Sequence, residues 1–409
     1  MAVDSLCIKC RGRGFCGSYC KILSKIKDSQ PKIEKNFSGS SPPEIFVGHH
    51  NYPEVFAGIL APNKIGDTER MSSPEYWHED DADIEKILNY RASMIYSRFN
   101  AKIKQPTMNN STLENKKYFD IFQDIALASK SVDASFELKK SPKSSFALSS
   151  HTPMIGNPAP LKDAKIESNI HVEKKVDYLV NDTDNKSVNS IKELFNSRIP
   201  VSNIIKVLSA GLLGLKKQRK LVPTRWSITA VDDTLSKDLI KKIRYYPELQ
   251  NILLFNGNYL GNYYEILLLP GEWGFEVIET SEKGGLWNPE SQAIWHDWEF
   301  FGGRKTYAES VTGGYYAVRL PITEYLNRIK KQATVLVFRE SRDEYWAPCG
   351  VGILRELVKE AFKKYPIKCE TIEEALLRMQ ENFKTPIDFF KDKSVLLKRK
   401  KEQRRLFEF

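Results

Sequence analysis

The stretch from residue 266 to residue 338 carries ILLLP (266–270), FEVIE (275–279), YYAVRLP (315–321) and ATVLVF (333–338). Short apolar runs rich in branched and aromatic side chains, closed off by Gly or Pro, read as strands buried in a sheet. They lie in the densest segment of the chain, Leu221 to Trp346, which holds six of the seven tryptophans. The reading is an α+β fold, a mostly antiparallel sheet core with helices packed on it.

Outward on the C-terminal side, GVGILRELVKEAFKKYP and ETIEEALLRMQENF repeat their apolar positions every three to four residues and predict helices, followed by Pro386 and a basic tail. On the N-terminal side, two helices are predicted between Ser190 and Leu215, ahead of the basic patch Lys216, Lys217, Arg219 and Lys220. Residues from about 100 to 190 are rich in Ser, Lys and Asn, with strand-like pieces such as SFELKK, and are expected to be loop-rich. Ile84, Ile87, Leu88, Arg91 and Met94 recur at helical spacing behind Pro74. SGSSPPEIFVGHHNYPEVFAGILAP, Ser38 to Pro62, alternates apolar runs with Gly and Pro and predicts two short strands. The expected organisation is a small cysteine module over residues 1–30, a core over 31–390 holding one large or two domains, and a tail over 391–409.

The 409 residues are 41% hydrophobic and 28% charged, the balance of a globular chain with a sizeable core. Against 52 acidic residues stand 62 basic ones, a formal charge of +10 that favours phosphate-rich partners, DNA among them. The chain opens on MAVDSLCIKC without a hydrophobic signal region, and its longest apolar stretches fall short of the roughly 20 residues a membrane helix needs. A soluble, cytoplasmic, nucleoid-associated protein with no membrane contact is expected.

Cys7, Cys10, Cys16 and Cys20 form C-x2-C-x5-C-x3-C. Four thiolates suit the tetrahedral corners of one structural zinc ion, and Gly12, Gly14 and Gly17 let the chain fold back to bring the second pair in. An iron–sulfur cluster is the other reading of the same ligands. Lys9, Arg11 and Arg13 between the ligands give such a module a nucleic-acid-facing charge.

At the other end the chain reads Gln403, Arg404, Arg405, Leu406, Phe407, Glu408, Phe409. In a 3-10 turn side chains three apart eclipse, so Gln403, Leu406 and Phe409 share a face as one polar probe and two apolar plugs. This resembles the sliding-clamp (PCNA) interaction peptide, in which a glutamine enters a polar pocket and the aliphatic and aromatic residues fill a hydrophobic one. Phe407 stands off that spacing but belongs to the same candidate clamp-binding set. Many such peptides end in two adjacent aromatics, which this one does not.

Within the core, Arg225 and Trp226 could hold a phosphate and stack on a base. Asp232 with Asp233 could bind magnesium, or cap a helix beginning near Leu235. His296, Glu299 and Arg304, around the WHDWE run, are the other candidates for catalysis. An enzyme built on Arg225, Asp232, His296, Glu299 and Arg304 requires them to converge in one pocket. No phosphate-binding P-loop or HExxH motif occurs. A zinc-bearing RNA-binding protein would need only the cysteine head and the basic charge, and leaves the tail unexplained.

The phrases LVPTRWSITAVDD, Leu221 to Asp233, and the Ser38 to Pro62 run are similar to those of the archaeal Nre family of DNA-repair proteins, as is the order of elements through most of the chain. The resemblance implies a role in DNA-damage repair linked to the sliding clamp. His49 and His50 depart from it, standing where an arginine and an aromatic residue are expected after Gly48.

Overall fold

The computed structural model describes residues 10, 20–32, 35–107, 115–283 and 293–402. The chain forms two compact units, one ending at Leu235 and the other beginning at Ser236, so the boundary falls inside the helix Thr224–Ile243.

Among the described residues the N-terminal unit has a six-stranded sheet in the order β1-β5-β8-β4-β3-β2. Its strands are β1 (Asn36–Ser41), β2 (Glu44–Val47), β3 (Glu54–Pro62), β4 (Met94–Lys102), β5 (Val132–Leu138) and β8 (Pro158–Ile166). Only the β4–β8 pairing is parallel. A two-residue ribbon, β6 (Phe146–Ala147) with β7 (Ile155–Gly156), stands apart from it. Ser38 to Pro62 thus contributes to three strands rather than two. Glycine is needed where chains cross closely: a Cβ on Gly39 would lie 1.8 Å from the Pro62 carbonyl oxygen, and one on Gly58 2.4 Å from that of Ser97.

The described part of residues 100–190 holds more regular structure than its composition suggests. It includes β5, β8, the helix Lys116–Leu127 and the helix Lys174–Asn181. In β5 the polar residues mask a strict alternation, with Val132, Ala134, Phe136 and Leu138 buried and Asp133, Ser135 and Glu137 turned outward. The two helices expected before residue 215 are Ser187–Asn196 and Val201–Ser209, the second burying Ile204, Ile205, Val207 and Leu208.

The C-terminal unit has its own six-stranded sheet among the described residues, in the order β12-β11-β13-β10-β9-β14. Its strands are β9 (Ile252–Tyr259), β10 (Asn262–Leu269), β11 (Gly274–Ser281), β12 (Ala293–Glu299), β13 (Thr334–Ser341) and β14 (Ile367–Cys369). Every pairing is antiparallel except β11–β13. Leu260 and Gly261, both at positive φ, close the β9–β10 hairpin in the manner a two-residue turn requires. One face packs Leu267, Leu269, Ile278, Leu336 and Phe338 against Met379, Phe383, Phe390, Leu396 and Leu397 of the C-terminal helices. On β9, a Cβ at Gly257 would meet Leu357 and Ala361 of the helix Gly352–Ala361 at 3.1 and 3.3 Å. Covered on both faces, the central strands read as unbroken apolar runs, and each fully buried Leu, Ile or Phe contributes about 1.5–3 kcal/mol.

Two local readings are corrected. YYAVRLP is not a strand but part of the helix Gly313–Ile329, with Pro321 inside it. Every residue from Gly313 to Thr323 is buried, so this part of the helix has no polar face to reveal a helical period. Asp232 and Asp233 do not cap a helix starting near Leu235. That helix already begins at Thr224, where Trp226 and Ser227 donate to the Pro223 carbonyl at 2.8 and 3.0 Å. No helix among the described residues is long and apolar enough to cross a membrane.

Candidate nucleic-acid interface

Long-range hydrogen bonds bring together the two sequence phrases that carry the family resemblance. Thr224, at the start of the helix Thr224–Ile243, accepts the Val47 N–H on Oγ1 at 2.9 Å, and its oxygen lies 3.2 Å from Ser209 Oγ. Ser209 Oγ donates to the Val222 carbonyl at 2.7 Å, which fixes the approach to the helix. The end of β2 and the turn His49 to Pro53 are therefore held against the helix's first turn.

A third segment completes the cluster. Arg91, fully buried, donates Nε to the Met154 carbonyl at 2.9 Å and pairs through Nη1 with Glu44. Ser149 Oγ accepts the N–H groups of His151 and Thr152 at 3.1 and 3.3 Å. These bonds shape the 149–154 loop and present His151, which is 5% exposed.

Arg225 stands between two imidazoles. Its Nη1 lies 3.3 Å from His49 Nε2 and its Nη2 3.5 Å from His151 Nδ1, which is also 2.9 Å from Ser150 Oγ. Burial, then the Arg225 charge, then His50 lowers the His49 pKa to about 4. Burial, then Arg225, then His49 lowers that of His151 to about 4 as well. Both rings are therefore neutral near pH 7 and can accept from the guanidinium. His49 and His50 lie ring to ring, with centroids 4.2 Å apart. At the rim Tyr52 and Trp226, 45% and 43% exposed, contact each other with centroids at 5.2 Å.

The other sequence candidates have different surroundings. Arg225 and Asp232 belong to the N-terminal unit, whereas His296, Glu299 and Arg304 belong to the C-terminal one. Asp232 sits two helical turns beyond Arg225, about 10 Å along the axis, and is buried. His296 Nε2 donates to Glu276 Oε1 at 2.6 Å, and Glu276 also accepts the N–H groups of Val395 and Leu396. Glu299 accepts from Arg319 Nη1 at 2.7 Å and from Trp273 Nε1 at 3.2 Å, all deeply buried. Arg304 pairs with Asp297 at 3.0 Å and donates to the carbonyls of Trp298 and Tyr307. These contacts build an interlocked scaffold that ties β11 and β12 to their neighbours.

In the basic patch, Arg219 closes its own loop by donating to the carbonyls of Gly214 and Val180 at 2.9 and 2.8 Å, whereas Lys216, Lys217 and Lys220 are exposed. Of the cysteine head only Cys10 and Cys20 are described; Cys10 is buried, and Cys20 caps the helix Lys21–Ile26, its Sγ accepting the Leu23 N–H at 3.5 Å. Cys7, Lys9, Arg11, Arg13 and Cys16 lie outside the described residues, as do Gln403, Leu406, Phe407 and Phe409. Among the described residues no group of three or more His, Cys, Asp or Glu is placed to hold a metal ion. His151 and Tyr52 were not singled out from the sequence. The one available signal was a histidine among turn residues, SSHTP, in a segment read as loops.

The arrangement defines an α+β protein of two units whose N-terminal unit presents one arginine, held between two neutral imidazoles, beside two exposed aromatic rings. The chain belongs to the archaeal Nre family. Residues 15–288 match the family model for archaeal Nre, N-terminal, and residues 299–409 the model for archaeal Nre, C-terminal. A DNA repair protein NreB of Archaeoglobus fulgidus is 35% identical over 405 residues, covering 98% of this chain and 99% of the relative. A DNA repair protein NreA of the same organism is 34% identical over 376 residues, covering 91% of this chain and 93% of the relative. The DNA repair protein NreA of Haloferax volcanii is 32% identical over 389 residues, covering 92% of this chain and 91% of the relative. No solved structure matches. The N-terminal family match runs past the unit boundary to include β9, β10 and β11, so the C-terminal sheet draws strands from both matched segments.

Proposed function

We propose that this chain acts in DNA repair, that its last seven residues dock on a sliding clamp, and that its N-terminal unit contacts the nucleic acid. The repair role is supported by relatives named DNA repair proteins along nearly the whole length of the chain. The spacing of Gln403, Leu406 and Phe409 carries the clamp reading. That peptide follows directly on the helix Val395–Glu402, whose first turn is fixed by Ser394 and by the bonds from Val395 and Leu396 to Glu276. Lys398, Arg399 and Lys400 of this helix supply positive charge just ahead of the docking peptide.

The test is calorimetric titration of an archaeal sliding clamp with the full chain and with a version lacking Gln403 to Phe409. Micromolar or tighter binding that the deletion abolishes is the expected result; no binding by the intact chain overturns the clamp reading and turns attention to RNA partners.

We also propose one structural zinc ion on Cys7, Cys10, Cys16 and Cys20. The spacing of the four cysteines carries this reading, with Cys20 Sγ accepting the Leu23 N–H at the start of the following helix. Elemental analysis of the purified chain should give one zinc per molecule, and Cys20→Ser should lower that content; iron in its place would assign a cluster instead.

A further inference from the structure

Arg225 differs from five buried or half-buried arginines in what it faces. Arg91, Arg304, Arg319, Arg339 and Arg342 each pair with a carboxylate. Among the described residues no carboxylate is hydrogen-bonded or ion-paired to Arg225; its terminal nitrogens meet two imidazole lone pairs. Its charge is therefore oriented without being neutralised, in the first turn of a 20-residue helix whose N-terminal dipole adds to the attraction for an anion. Beside it two large rings are exposed to solvent. Their centroids are 5.2 Å apart and the planes tilted by 58°. A base inserted between them would need about 7 Å, twice an ordinary contact distance, so a base can stack only on an outer face. Stacking of that kind is open to any base that is not already stacked in a duplex.

We propose that Arg225, His49 and His151 bind a backbone phosphate of single-stranded DNA while Trp226 or Tyr52 stacks on a neighbouring base. The proposal rests on the reading that the N-terminal unit contacts DNA, and it is independent of clamp docking. It carries a signature in pH. Among the charged and titratable groups acting on the two imidazoles, Arg225, His50 and, on His151, His49 oppose protonation. A phosphate reverses that sign, so binding takes up protons. An imidazole carried from a pKa of about 4 in the free protein to its ordinary 6.5 in the complex tightens binding about tenfold between roughly pH 7.5 and pH 5.5.

The experiment is fluorescence anisotropy of an end-labelled single strand of about 15 nucleotides, a length within one protein's reach, with the full chain at fixed ionic strength and both pH values. The wild type should bind about tenfold tighter at the lower pH, and Arg225→Gln should cost about tenfold and abolish the tightening. Trp226→Ala should cost about fivefold or more at both pH values and keep the tightening. Should Arg225→Gln lose its thermal transition, His49→Gln carries the same test, with the tightening reduced. Wild-type affinity and pH response in the folded arginine variant would place the DNA elsewhere and sink this site alone. A wild type that binds no DNA at either pH overturns the DNA-contact reading with it. Tighter binding of the matching duplex than of the single strand overturns the stacking.

Discussion

Two clusters of histidine and arginine, one in each unit, use the same residue types to opposite ends. Around His296 every charge is answered: Glu276 takes the imidazole, Asp297 takes Arg304, and Glu299 takes Arg319 in the deeply buried pair. Around Arg225 the partners are neutral rings, and the aromatic side chains beside it face solvent instead of the core. Charges matched by permanent partners are committed to the fold. A charge left facing lone pairs remains available to a ligand. The units also differ in their buried titrating groups. The N-terminal unit holds histidines whose pKa is depressed, and the C-terminal one holds carboxyls whose pKa is raised, Glu265 to about 8 by burial and Glu279 upward by burial against the pull of Arg339.

The sharpest way to break the comparison is Glu299→Ala. Leaving Arg319 buried without its partner should destabilise the chain by about 3–5 kcal/mol, read by urea unfolding. A loss below about 1 kcal/mol, the worth of an exposed pair, would mean that the C-terminal cluster is not structural after all.

The pH response comes next. The folded pKa of His151 lies below its unfolded value, so the unfolded state binds more protons and stability rises with pH. The contribution is complete above about pH 6.5 and is lost as pH falls toward about 4, by up to about 3 kcal/mol. Glu265 has the opposite sign: its folded pKa lies above the unfolded one, so its contribution is complete below about pH 4.5 and lost as pH rises through about 8. Hydrogen exchange, corrected for the intrinsic rate, should show protection in residues 35–235 falling toward acid and protection in residues 236–402 falling toward alkali. Parallel behaviour of the two units would remove this half of the contrast.

Arg304→Ala should cost about 1.5–3 kcal/mol, the weight of a charge-assisted bond removed from a partly buried site. Arg225→Gln should cost less, about 0.5–1.5 kcal/mol, because it breaks hydrogen bonds to neutral acceptors but no ion pair. Denaturant midpoints of the two variants, measured side by side, test whether their roles differ as described.

How much could be read beforehand depends on how far apart the interacting residues lie in the chain. Strand β10 and the helix Ile372–Asn382 were legible because their patterns are local: the apolar run ILLLP, and apolar positions at helical spacing. The helix Gly313–Ile329 was not, because burial on all sides erased its period. Arg225 and Trp226 stand out in the sequence by residue type. Their setting does not, since His49 lies 176 residues away from Arg225 and His151 lies 74. The proposed grouping of Arg225 and Asp232 with His296, Glu299 and Arg304 drew on chemical type alone and took residues from both units.

The sequence by itself determined the class of fold and the family, since apolar periodicity and long unusual phrases are carried by neighbouring residues. Only the tertiary structure decided which arginine is neutralised and which is exposed to a ligand. Charge compensation depends on distances of a few ångströms between segments that the chain separates by tens or hundreds of residues, and no local pattern encodes them.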